Sequence, residues 1–234
     1  LVVSILFPKK IDHILIAFSA VFYGWNSTIG LILILLSIVI VHYTRKLQAN
    51  NLILKVLVSI IIICPFIFFR SYEFITDDIK ILSNINNYYP EALILPAGVS
   101  FYTFQLIGFL FDKDPEKNKI KLKDSLLFIM LFPQLIAGPI ERGKKLIPQI
   151  KDLYKDGYKI KKENFKNGIY LIAIGLILKT FFSDILAASY TDFYQKGTIG
   201  AILQILCNGS VIYFDFLGYS LMAIGMGKLF NINS

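Results

Sequence analysis

The stretch LPAGVSFYTFQLIGFLFD, Leu95 to Asp112, is apolar enough to lie in a bilayer but cannot face lipid on every side. It opens with Pro96 and Gly98 and carries Ser100, Tyr102, Thr103 and Gln105 at membrane depth. Polar groups in hydrocarbon are costly unless they find partners. A segment of this kind lines a protein-walled cavity or packs on other helices. LFPQLIAGPIERGKKLIPQI (Leu131–Ile150) and IYFDFLGYSLMAIGMG (Ile212–Gly227) repeat the style. Three polar-interrupted apolar stretches in one chain point to the handling of a substrate.

The rest of the chain agrees with a membrane protein. Only 17% of its residues are charged, below the roughly 25% of soluble domains. Several runs meet the roughly 20 mostly apolar residues that a spanning helix needs. The net charge of +8 does not indicate nucleic acid. The lysines sit in loops between apolar runs, where membrane proteins place them on the cytoplasmic side. Cys64 and Cys207 lie inside apolar runs, outside any CxxC or Cys/His cluster, so zinc and a disulfide framework are not expected. The chain opens at Leu1 within an apolar stretch and stops at Ser234 soon after another. A fragment cut at both ends is expected, with no complete signal peptide in view.

The fold class expected is an all-α multipass membrane protein. Spans are placed at about 13–25, 29–43, 52–69, 92–111, 167–187 and 198–230. The first two, joined by a turn at Gly24–Thr28, are short for full spans. They read either as spans or as a hairpin that dips in and returns, with both ends on one side. Arg70–Glu91 reads as a polar connection rich in turn residues (Asn84, Asn86, Asn87, Pro90). Glu141–Lys166 reads as polar and basic. Of the 24 basic residues, 14 lie between Lys113 and Lys166, so both flanks of Asp124–Pro139 are expected in the cytoplasm. That segment is too short to cross and ends in FPQLIAGP, so it reads as re-entrant or interfacial at 124–139. Irregular backbone at that depth is tolerated only when buried in protein or lining a wet cavity.

Four stretches carry a resemblance: LPAGVSFYTFQ (Leu95–Gln105), FPQLIAGPIERGKKLIPQI (Phe132–Ile150), GLILKTFFSDILA (Gly175–Ala187) and IYFDFLGYSLMAIGMGKLF (Ile212–Phe230). They resemble the membrane-bound O-acyltransferase family, in its alginate O-acetyltransferase-like branch. The resemblance implies a multipass enzyme moving an acyl group, typically acetyl, onto a hydroxyl of an exported polysaccharide. No cofactor is expected to stay bound; the donor implied is acetyl-coenzyme A or another acyl thioester. The partners implied are the lipid bilayer and the polysaccharide acceptor, or an extracytoplasmic acyl-transfer protein. D-alanyl transfer to teichoic acid within the same fold is the runner-up. A membrane transporter with broken helices and a non-catalytic scaffold are the further alternatives.

Two departures stand out. The family's catalytic histidine follows the YFDF-type motif by some tens of residues and is expected beyond Ser234, so no catalytic residue is placed within this chain. The branch commonly reads DFSGYSDMAIG, where this chain has Leu217 and Leu221.

Asp215, between Phe214 and Phe216, is the most suggestive charge, because an intramembrane carboxylate is costly and marks a functional site by default. By analogy it lies near the catalytic chamber with Tyr219, one helical turn on; the plain reading is a structural hydrogen bond. Tyr102, Gln105 and Gln134 are placed as chamber or substrate-lining residues, while Ser100 and Thr103 read as packing groups. Arg142 suits a phosphate of the donor, and also reads as a positive-inside anchor. Lys179 and Asp184 are five apart, about 140° round an α-helix, which argues against a direct pair and for Asp184 as a helix cap. His13 and His42 match no family motif and read as interfacial. No metal site is expected.

Overall fold

Apolar runs that lack paired Gly and Pro become helices in the bilayer, because only a helix satisfies every backbone group within its own segment. The computed structural model describes residues 10–47, 51–83, 96, 98–112, 120–135, 138–155, 159–189 and 197–233. Among these residues the chain is helical, with no strand. The elements are α1 (Ile11–Asn26), α2 (Thr28–Leu47), α3 (Leu52–Ser83), α4 (Val99–Phe111), α5 (Leu122–Met130), α6 (Phe132–Leu135), α7 (Gly143–Lys155), α8 (Lys162–Ile177), a π-helical segment (Leu178–Asp184), α9 (Ile185–Ser189) and α10 (Gly197–Leu229). Among the described residues four stretches are long and apolar enough to cross a membrane: Thr28–Leu47, Leu52–Tyr72, Lys162–Ser189 and Gly197–Leu229.

The elements depart from the sequence reading in four places. The turn at Gly24–Thr28 is a single residue: Ser27 donates its N–H to Tyr23 O at 3.1 Å, and its own carbonyl accepts from Leu31 N–H at 3.0 Å. These i→i+4 bonds carry α1 into α2 without a reversal of the chain, which removes the hairpin reading and the basis for placing both ends of the pair on one side. Helix α3 does not stop at Phe69 but runs through Pro65 and on to Ser83. Charged side chains do not end a helix; turn residues do, and Asn84, Asn86, Asn87 and Pro90 lie outside the described residues. The helix expected over 92–111 starts at Val99, because Gly98 takes the left-handed conformation at φ 75°. Within Glu141–Lys166 lies the amphipathic α7, with Leu146, Ile147, Ile150 and Leu153 buried and Lys144 and Lys145 exposed.

The chain divides into two compact units. One comprises residues 15–132 and 142–147; here it is called the polar-core unit. Its centre is α2, which packs on α3, α4 and α5. The buried stripe of α2 is Gly30, Ile34, Ser37, Ile38, Val41, His42 and Arg45, a helical face at three- and four-residue steps. Its outward face carries Ile29, Ile32 and Leu36, each more than half exposed. Polar groups inside and apolar groups outside invert the soluble pattern, as hydrocarbon solvent requires.

The other unit comprises residues 1–14, 133–141 and 148–234; here it is called the seam unit. It is built on α10, which runs along α8 and the π segment. Helix α10 ends at Asn231, the left-handed residue (φ 60°) that such helix ends favour. Asn231 donates its side-chain N–H to Lys159 O at 2.7 Å and accepts from Asn164 Nδ2 at 3.0 Å. Gln149 pairs with the backbone of Asn233 in both directions, at 2.7 and 3.1 Å. Ile232, fully buried, completes this clamp.

Candidate functional site

The site of the seam unit begins with a spacing along two helices. On α10 the positions are Gly225, Gly218 and Val211, seven apart; on the facing helix they are Gly168 and Gly175, seven apart, and then Ser183, eight on. Helix α8 meets α10 backbone to backbone at the glycines. A Cβ on Gly168 would stand 2.8 Å from Gly225 O, and one on Gly218 2.8 Å from Gly175 O. Small residues permit such approach between membrane helices. Ser183 Oγ extends the seam by donating to Val211 O at 3.1 Å. The eighth residue is accommodated by the π segment Leu178–Asp184, whose wider i→i+5 turn absorbs one residue and returns Ser183 to the seam.

The same wider turn corrects the reading of Lys179 and Asp184. An α-helix would hold them 140° apart; the π turn brings residues five apart together, and Lys179 Nζ donates to Asp184 Oδ1 at 2.5 Å. Asp184 is therefore no helix cap. Across the seam, Lys179 Nζ stands 3.8 Å from Asp215 Oδ1 and 5.9 Å from the centre of the Tyr219 ring. Asp215, which the sequence leaves without a neighbour, has its cation here. Gly218 makes this possible: a Cβ there would lie 3.0 Å from the Lys179 Cβ. The sequence reading weighed Lys179 and Asp184 and set their pairing aside; the signal for the pairing was the seven-then-eight spacing. The cluster remains partly exposed, with 26% of the Lys179 side chain and 40% of Asp215 accessible. Gln134 belongs to the same unit. It is buried, and neither atom of its amide finds a hydrogen-bond partner among the described residues.

The polar-core unit holds the other sequence candidates. Gln105 is buried and donates to Phe128 O at 3.2 Å, near the end of α5. Tyr102 is buried with its ring edge-on to Tyr23, centres 6.4 Å apart. Thr103 is buried with no partner for its hydroxyl among the described residues. Arg142 is exposed, and its carbonyl starts α7 by accepting from Lys145 and Leu146 N–H. His42 is buried within the protein, and its Nδ1 lies 2.9 Å from Ser125 Oγ on α5. It belongs to the inward stripe of α2, which periodicity alone could have shown. Arg45, one turn on, is buried with its guanidinium 3.7 Å over the Phe109 ring. His42 and Gln105 thus tie α5 at both ends. From Asp124 to Leu131 every side chain but that of Leu126 is buried. Among the described residues no three His, Cys, Asp or Glu converge as metal ligands.

No protein-family model matches the chain. Curated relatives do. The chain is 31% identical to the probable alginate O-acetylase AlgI of Pseudomonas aeruginosa, over 92% of this chain and 44% of that protein. It is 34% identical to the peptidoglycan O-acetyltransferase of Helicobacter pylori, over 60% of this chain and 32% of that protein. It is 27% identical to the teichoic acid D-alanyltransferase of Bacillus subtilis, over 62% of this chain and 38% of that protein. The chain thus spans less than half the length of these relatives. With its apolar spanning helices and its match to acyl-transferring relatives along most of its length, the chain belongs to the membrane-bound O-acyltransferase family.

Proposed function

We propose that the whole protein moves an acyl group, acetyl in the leading reading, from a thioester donor to a hydroxyl of an exported or cell-surface polysaccharide. The likeness to the two O-acetylating relatives carries this reading. They match at higher identity than the D-alanyltransferase, which keeps D-alanyl transfer second. In general-base terms, a histidine takes the proton of the acceptor hydroxyl as its oxygen attacks the thioester carbonyl. The C–O bond forms, the C–S bond breaks, and the thiolate leaves and takes up a proton. A charge-stabilising donor holds the tetrahedral oxyanion between these steps. Neither His13 nor His42 fits the role of base: one is exposed, and the other is committed to Ser125. The base in this reading is the histidine that the family resemblance implies, whose motif neither His13 nor His42 matches. In the seam unit Asp215 is read as orienting that base, with Tyr219 and Gln134 as substrate-lining residues; in the polar-core unit Tyr102 and Gln105 are read as substrate-lining residues and Arg142 as the contact of a donor phosphate. An extracytoplasmic protein or the polysaccharide itself receives the acyl group.

The test is Asp215→Asn in the full-length protein, read as transfer per folded molecule with monodispersity in detergent as the folding control. Transfer is expected to fall roughly 10²-fold or more, the scale of general-base catalysis. Full activity with normal folding would sink the role of Asp215.

The segment 124–139 is read as re-entrant, because both flanks are basic and its described residues are nearly all buried. Cysteines placed at Lys119 and Lys155 are expected to react only from the cytoplasmic side. Labelling from opposite sides would make the segment a crossing.

A further inference from the structure

The charge cluster of the seam unit holds one ammonium and two carboxylates, and the ammonium is not shared evenly. Lys179 Nζ stands 2.5 Å from Asp184 Oδ1 but 3.8 Å from Asp215 Oδ1. Charge-assisted N–H···O bonds run at about 2.7–2.9 Å, and a contact as long as 3.8 Å is not one. At that distance the ammonium still attracts the Asp215 carboxylate and offsets its charge. Among the described residues no closer donor meets the Asp215 oxygens, and they stay open to another. A membrane-depth carboxylate with no cation nearby would be costly to keep, and one gripped by a lysine would already be committed. The π turn produces the state in between. It places a competing carboxylate five residues along, where an α-helix would turn that carboxylate away. The Ser183 bond to Val211 O and the close approach of Gly218 to Lys179 hold the two helices in the register this requires.

We propose that Asp184 is a positioning residue. By taking the hydrogen bond of Lys179, it leaves Asp215 charge-balanced but uncommitted, able to accept a bond from the group it orients. The proposal rests on the acyl-transfer reading and adds a residue to it that does not touch the reacting atoms. Removing the Asp184 charge frees Lys179 to close on Asp215.

The experiment compares Asp184→Asn, Asp184→Ser and Asp184→Glu with Asp215→Asn in the full-length enzyme, each assayed for kcat, KM and folded yield. Both neutral variants at Asp184 are expected to insert normally and to lose at least about tenfold in kcat with KM unchanged, the cost of a misplaced group. Asp184→Glu is expected to restore most of that loss. Wild-type kcat in Asp184→Asn and Asp184→Ser, beside a failed Asp215→Asn, overturns this inference and leaves the function standing. A rise in KM alone overturns it too, since Asp184 would then serve binding. Should neither neutral variant insert while Asp184→Glu does, the residue is a structural charge and the inference falls. Wild-type activity in Asp215→Asn removes the role of Asp215 and this proposal with it.

Discussion

The polar-core unit and the seam unit house their polar groups in opposite ways. In the first, His42, Ser125, Gln105, Asp124 and Arg45 are all buried, and bonds run from helix to helix: His42 to Ser125, and Gln105 to the carbonyl of Phe128. In the second, Lys179, Asp184 and Asp215 stay partly accessible on a pair of helices whose contact is a line of small residues. Buried helix-to-helix bonds of this kind fix one packing. A partly open charge cluster at membrane depth must instead meet water or further protein. The contrast makes the seam the place where charged groups stay available, although among the described residues the polar-core unit buries more polar side chains, a histidine included.

If the contrast holds, the two units should fail differently. The largest effect is expected at the seam. Gly175→Leu would drive side-chain atoms into a space where even a Cβ comes within 2.6 Å of Gly218 O. Overpacking of this kind costs about 1–3 kcal/mol and sometimes more. With backbone as the obstacle, the expected result is loss of the monodisperse protein in detergent. A variant that melts at the wild-type temperature would break the backbone-to-backbone seam.

A middle effect is expected in the polar core. His42→Leu leaves the buried Ser125 hydroxyl without its partner, at a cost of about 1–3 kcal/mol. Adding Ser125→Ala should return much of that stability, because removing both partners is far cheaper than orphaning one. Strict additivity in the melting temperatures would mean that the bond contributes little. It would also reopen His42 as a functional residue.

The smallest effect is the control within the seam unit itself. Gly209 lies on α10 off the seam, and a Cβ added there would meet nothing within 4 Å. Gly209→Ala should be neutral or stabilising by up to about 1 kcal/mol, the entropy that glycine loses in a helix. A loss as large as that at Gly175 would show that α10 resists any added side chain, and the seam would no longer be special.

What the sequence carries differs between the units as well. Hydropathy places α10 to within a residue at each end, because a long apolar run leaves the backbone no other choice in lipid. Helices α3 and α7 escape it for the converse reason: their polar stretches hold helical backbone outside the apolar pattern, so hydropathy does not mark their ends. His42 is legible in principle, since it keeps step with Ile34, Ile38 and Val41 on one helical face. Its position before a basic turn suggests an interface instead.

By itself, the amino-acid sequence determined that the chain is an all-α membrane protein, and its motifs named the family. Hydrocarbon permits few backbone conformations, and motif residues keep their order whatever the packing. Only the tertiary structure decided that Lys179 pairs with Asp184 and stands beside Asp215. That pairing depends on one extra residue absorbed by a π turn and on glycines that bring two backbones together. Both are properties of two helices in contact, and angular arithmetic along one ideal α-helix points the other way.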